Sequence, residues 1–91
     1  MSMNLSLQVR QGRWKKEFPL RQTPSDLTRK VMGLPTFQAR LDEYCGWVLS
    51  STLGNRKFKD AHEDSLEHCE ELRAWVKDIQ DRGLLPTWGC G

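Results

Sequence analysis

The stretch from Phe58 to Gly83 constrains this chain more than any other. Phe58, His62, Ser65, Cys69, Leu72, Val76 and Ile79 recur at alternating spacings of four and three, which lays one stripe along the side of an α-helix. Leu66 and Trp75 widen the stripe. The opposite side is charged, with Glu63, Asp64, Glu67, Glu70, Glu71, Arg73, Lys77, Asp78 and Asp81. Asn55 or Asp60 can cap the start, and Glu63 stands three residues after Asp60 as a capping box requires. At the end Gly83 suits a left-handed residue, Leu84 can fold back on Ile79, and Pro86 prevents continuation. A helix with one sticky side has to be covered by the rest of the chain.

The covering segments precede it. Met3, Leu5, Leu7 and Val9 alternate with Asn4, Ser6, Gln8 and Arg10, the period of a half-buried strand. Gln11-Gly12 offers a turn, and Trp14 and Phe18 alternate with charged residues beyond it, so a β-hairpin is expected over about residues 3–18. Pro19 to Pro24 reads as a linker. In Thr23-Pro24-Ser25-Asp26, threonine can cap a helix, proline fits its first position and Asp26 returns the bond. Leu27, Val31 and Met32 form the inner side of a short helix that Gly33 ends.

A second long helix is expected from Pro35 to Leu53, with Phe37, Leu41, Tyr44, Cys45, Val48 and Thr52 at helical spacing and Trp47 and Leu49 beside them. Gly46 weakens its interior by about 1 kcal/mol relative to alanine, which close approach of another helix would explain. Leu53-Gly54-Asn55 turns the chain back, making the two long helices antiparallel neighbours. After Pro86, Thr-Trp-Gly-Cys-Gly has little but Trp88 to hold it and is expected to fray. The expected fold is mostly α: a short helix plus two long antiparallel helices, with an N-terminal β-hairpin or extended arm. It forms a single domain over 1–91, with hairpin or arm and linker in 1–22, helical core in 23–83 and tail in 84–91.

Composition narrows the functional classes. With 37% hydrophobic and 29% charged residues the chain is of the folded rather than the disordered kind. Its three cysteines, Cys45, Cys69 and Cys90, are odd in number and widely spaced, which argues against a disulfide framework and for a reducing compartment. The amino terminus lacks the apolar run of a signal peptide, and no stretch approaches the ~20 apolar residues of a membrane span. A cytoplasmic protein without membrane contact is expected. His62, Cys69 and Cys45 are the only basis for a metal site, with His68 pointing away from the His62/Cys69 line. Zinc normally takes four ligands, often as closely spaced pairs, so the cysteines read as core and no metal or cofactor is expected. No nucleophile elbow, P-loop or glycine-rich nucleotide fingerprint occurs, and the carboxylates of the long helix read as a solvated face. The reading is therefore of a protein that is not an enzyme and takes no small-molecule substrate.

Charge is divided along the chain. Residues 1–40 carry eight Lys/Arg against Glu17 and Asp26, a net of +6, whereas residues 41–91 carry six against ten acids, a net of −4. The halves can attract each other within the fold, or the basic half can meet an acidic partner. The segment from Arg10 to Arg21 is the candidate site, through Arg10, Arg13, Trp14, Lys15, Lys16, Phe18 and Arg21. Interleaved cations and aromatics suit phosphates and stacked bases. They also suit a protein partner, met here or at the strand edge of residues 3–9. In a third reading Trp14 and Phe18 simply enter the core. The lack of a helix-turn-helix pattern and the acidic second half favour protein over nucleic acid.

The Gly-Arg-Trp-Lys-Lys-Glu-Phe start (residues 12–18) and the compact helical hairpin resemble small accessory proteins of lambdoid phages. Some of these bind and reprogramme host enzymes, including the RecBCD recombination nuclease. The resemblance spans the whole chain without a signature motif, so it carries over no site residue. It implies a non-enzymatic accessory protein that inhibits or redirects a larger enzyme, one that processes host DNA among the options. The alternative is a small nucleic-acid-binding accessory protein using residues 10–21.

Overall fold

Leu5, Leu7 and Val9 point to one side of an extended strand and are buried, while Ser6, Gln8 and Arg10 face the other way and are not. In the computed structural model, which describes residues 4–51 and 59–90, this strand, β1 (Leu5–Gln11), is the centre of a sheet. Gly12 at φ +58° followed by Arg13 at negative φ forms a two-residue turn of the type II′ kind. It returns the chain as β2 (Trp14–Phe18), with Gln11 opposite Trp14, Arg10 opposite Lys15, Val9 opposite Lys16 and Leu7 opposite Phe18.

On its other side β1 pairs antiparallel with β3 (Thr87–Cys90), Leu7 opposite Trp88 and Leu5 opposite Cys90, so the sheet order is β2-β1-β3. Two expectations are overturned here. The tail does not fray, and the fold is not mostly α with two long helices and an appended arm. It is a small α+β fold, with a three-stranded antiparallel sheet covered on one face by three helices. The hairpin gains a third strand, which a two-stranded ribbon needs to be stable in water. The edge of residues 5–8 is consequently closed to any partner, since β3 already occupies it.

The helices are α1 (Ser25–Gly33), α2 (Phe37–Ser50) and α3 (Lys59–Asp81). Pro24 is the N-cap of α1 and no side chain caps the helix; Thr23 instead shares a 2.6 Å bond with the Thr28 hydroxyl, both residues being buried. Thr36 caps α2 by accepting from the Ala39 N–H at 3.1 Å. At the end of α3, Gly83 has φ +78°, and the Leu84 N–H reaches back to the Ile79 carbonyl while the Gly83 N–H reaches that of Gln80. This is the Schellman stop that Gly83 implies. Asn55, the Leu53-Gly54-Asn55 turn, Thr52, Phe58 and the Asp60 side chain lie outside the described residues. Among the described residues no helix is long and apolar enough to cross a membrane.

The core joins Leu5, Leu7 and Trp88 of the sheet to Val31 of α1, Leu41, Tyr44, Cys45 and Val48 of α2, and Cys69, Leu72 and Val76 of α3. Across α2 and α3, Arg73 bridges Asp42 at 3.0 Å and the Cys69 thiol meets the Cys45 carbonyl at 3.8 Å, contacts that advance along one helix as they recede along the other. The α3 stripe is narrower than its spacing suggests: Leu66 is 41% exposed. Gly46 also departs from expectation, since a Cβ there would meet nothing within 4 Å and no helix approaches it closely.

Trp88 is packed against the Phe37 and Tyr44 rings, at centroid distances of 5.9 and 6.1 Å. Trp88→Ala should therefore cost about 3–5 kcal/mol and Leu72→Ala, at a fully buried position, about 2–5 kcal/mol. Glu71→Ala on the exposed side of α3 should stay within about 0.5 kcal/mol. Denaturant melts of the three variants check this, and a neutral Trp88→Ala would mean that β3 contributes nothing.

Candidate functional site

The candidate residues divide into a root and a tip. Phe18 closes β2 on the inner face of the sheet, half-buried, with ring centroids 5.6 Å from Trp75 and 5.9 Å from His68. Arg21 follows the hairpin and spans to α3, donating to the Ser65 hydroxyl at 2.7 Å and to the Asp64 carboxylate at 2.8 Å. Its backbone N–H donates to the Tyr44 hydroxyl at 2.8 Å. Both residues serve the fold, and the structure separates them from the rest of the set.

Tyr44 is the centre of that root. Its ring is fully buried, and burial pushes its hydroxyl up to about 12. The hydroxyl accepts the Arg21 N–H and lies 2.9 Å from the His68 Nε2. Burial and then the Arg21 guanidinium lower the His68 pKa below its ordinary value, against Asp64 and Glu71, which raise it. The Tyr44 hydroxyl and His68 Nε2 share this hydrogen bond, whose direction follows the tautomer of the ring. The helical spacing of α3 places His68 off the apolar line, and so misses it. The signal that could have found it is Tyr44, because a buried tyrosine hydroxyl needs a partner. Cys45 and Cys69 are buried neighbours, and burial, then the nearby Cys69, push the Cys45 thiol up to about 12. His62 is half-buried on α3, and among the described residues no three His, Cys, Asp or Glu side chains gather as a metal site.

The tip is Arg10, Arg13, Trp14, Lys15 and Lys16, all exposed. Strand alternation divides them between two faces. Arg10 and Lys15 are directly opposite each other on the outer face, with Glu17 two residues along bridging Lys15 at 3.0 Å. Trp14 and Lys16 lie on the inner face but beyond the cover of the helices, and Trp14 remains 44% exposed. A shallow recess of about 350 Å³ runs between Gln11, Trp14, Arg82 and Leu84. Among the described residues Arg10, Arg13 and Lys16 form no ion pair, whereas Arg21 and Lys30 bridge Asp64 and Glu43. Trp14 is therefore no core residue, and the tip presents one aromatic ring among four cations.

No protein-family model, no curated protein and no solved structure matches this chain.

The root generates a pH prediction. Because the folded pKa of His68 lies below its unfolded value of about 6.5, the unfolded chain binds the extra proton first. The stability that His68 contributes is present above that value and is lost as pH falls through the folded pKa. Thermal melts from about pH 7.5 downward should show Tm falling through about 6.5, before carboxylates titrate. In His68→Gln this portion of the profile should be flatter; an unchanged slope would remove His68 as its source.

Proposed function

We propose that this chain is a non-enzymatic binding protein that engages a larger protein through the tip of its β1–β2 hairpin and thereby inhibits or redirects it. The observation that carries this reading is the exposed Trp14, held at the end of a short hairpin whose tip also carries Arg10, Arg13, Lys15 and Lys16. An exposed tryptophan among cations is the composition of an interface anchor, since Trp and Arg dominate binding energy at protein contacts.

Nucleic acid is the weaker alternative. Surfaces that hold single strands stack successive bases on several aromatic rings, whereas here Phe18 is packed against Trp75 and His68 and leaves Trp14 alone. The resemblance to lambdoid-phage accessory proteins supports a host enzyme as the partner, with DNA processing as its area of action.

Trp14→Ala should weaken the complex by roughly 2 kcal/mol or more, while Lys15→Glu with Lys16→Glu should act mainly on association rate and salt sensitivity. The partner recovered by affinity purification from the native host and identified by mass spectrometry supplies the binding assay. Circular-dichroism melts should show both variants folded, because none of the three residues enters the core. If the lysine reversals abolish binding to DNA or RNA and reduce its salt slope by about one per lost phosphate contact, the nucleic-acid reading replaces this one.

A further inference from the structure

We infer that the hairpin receives its partner by strand addition: an extended, acidic segment of the partner protein pairs with the free edge of β2 as a fourth strand. This rests on the reading of the hairpin tip as a protein-binding site and specifies the chemistry of what binds there.

Three observations carry it. First, β2 pairs with β1 alone, so among the described residues its other edge is open. In an antiparallel ladder closed by a two-residue turn, the pairs Gln11/Trp14, Val9/Lys16 and Leu7/Phe18 exchange both backbone bonds. The N–H and C=O groups of Lys15 and Glu17 therefore point outward, ready for a new strand.

Second, Arg10 and Lys15 occupy a pair of the closely approaching, non-hydrogen-bonded kind on the outer face. Like charges directly opposite each other destabilise a sheet. Glu17 answers Lys15, but Arg10 and Arg13 have no acidic partner among the described residues. An acidic side chain set opposite Lys15 would lie beside this uncompensated charge.

Third, the two faces of the strand differ. The neighbouring residues of an added strand would fall on the inner face, where Trp14 is exposed beside a recess shared with Gln11, Arg82 and Leu84, and where Lys16 adds a further cation. The occupant that fits is thus an extended segment with an acid opposite Lys15 but not opposite Glu17, and an apolar residue beside Trp14. In a second copy the register that sets Lys15 against Glu17 also sets Lys16 against Lys16, a like-charge pair that disfavours it.

The test uses the full chain, labelled for amide hydrogen exchange by NMR, and a short synthetic peptide of valines around a single Glu. Binding should slow exchange at Lys15 and Glu17. Methylating the peptide's alternate backbone nitrogens, which removes edge bonding without altering charge, should weaken binding at least about tenfold, and Lys15→Glu in the chain should slow association and lower its salt sensitivity. The inference is overturned if the methylated peptide binds equally well, if a Lys/Val peptide matches the Glu/Val one, or if protection appears elsewhere in the sheet. It is equally overturned if oligothymidine outcompetes the peptide. Protection of Lys15 and Glu17 that grows with protein concentration in the absence of peptide would make a second copy the occupant, and would overturn it too. A peptide that fails to bind while Trp14→Ala still weakens the native complex refutes strand addition alone. Insensitivity of that complex to Trp14→Ala refutes the hairpin reading itself.

Discussion

The structure depends on one row of side chains across the sheet. Leu7 lies opposite Phe18 on one side and Trp88 on the other, and register partners share a face. The row Phe18–Leu7–Trp88 thus forms a continuous apolar bar on the inner face. Each end meets a different part of the helical layer. Phe18 packs against Trp75 and His68 of α3, while Trp88 packs against Phe37 and Tyr44 of α2. The bar exists only because β3, from the far end of the chain, pairs with β1. Closing that long loop costs entropy that grows slowly with its length, and burying Trp88 together with Leu5 and Leu7 offsets it.

Much of this was legible in the residues. The alternation of Leu5, Leu7 and Val9 marks β1, Gln11-Gly12 marks the turn, and the Ser65–Cys69–Leu72–Val76–Ile79 spacing with Gly83 marks α3 and its stop, because each signal is local. The strand Thr87–Cys90 was not legible. It has four residues, one of them a glycine, and follows Pro86. Only its pairing with β1 makes it a strand, and that information lies eighty residues away. Gly89 shows the same dependence: a Cβ there would stand 3.0 Å from the Ser6 hydroxyl oxygen, a contact no local pattern discloses. Of the candidate site, Arg10, Arg13, Trp14, Lys15 and Lys16 share the exposed tip. Phe18 and Arg21 read identically in the sequence but are claimed by the core and by α3.

That division of the hairpin has a physical consequence. At its root, Arg21 ties the linker to Tyr44, Ser65 and Asp64, and Phe18 joins the aromatic cluster around His68. Breaking the Arg21 bonds to Tyr44 or Ser65 leaves a buried hydroxyl short of a partner, which is costly. At the tip, no side chain from Arg10 to Lys16 enters the core. The residues that hold the fold and those proposed for recognition are therefore different parts of one short ribbon, and the tip is free to hold charges that would be unfavourable nearer the core.

The charge division along the chain resolves in the same way. The basic and acidic halves do attract each other within the fold, but among the described residues only through Arg21–Asp64 and Lys30–Glu43, both close to the packed elements. Arg40 is taken up by the Leu34 and Met32 carbonyls instead. The acidic side of α3 does not reach the hairpin cations in any ion pair among the described residues. Folding thus neutralises the charges that lie against the helices and leaves those of the tip in place. Exposed charges are cheap in water, so the fold itself gives no reason for concentrating them beside Trp14. An acidic partner does, because charges of opposite sign steer encounter and reject like-charged competitors before any surface is buried.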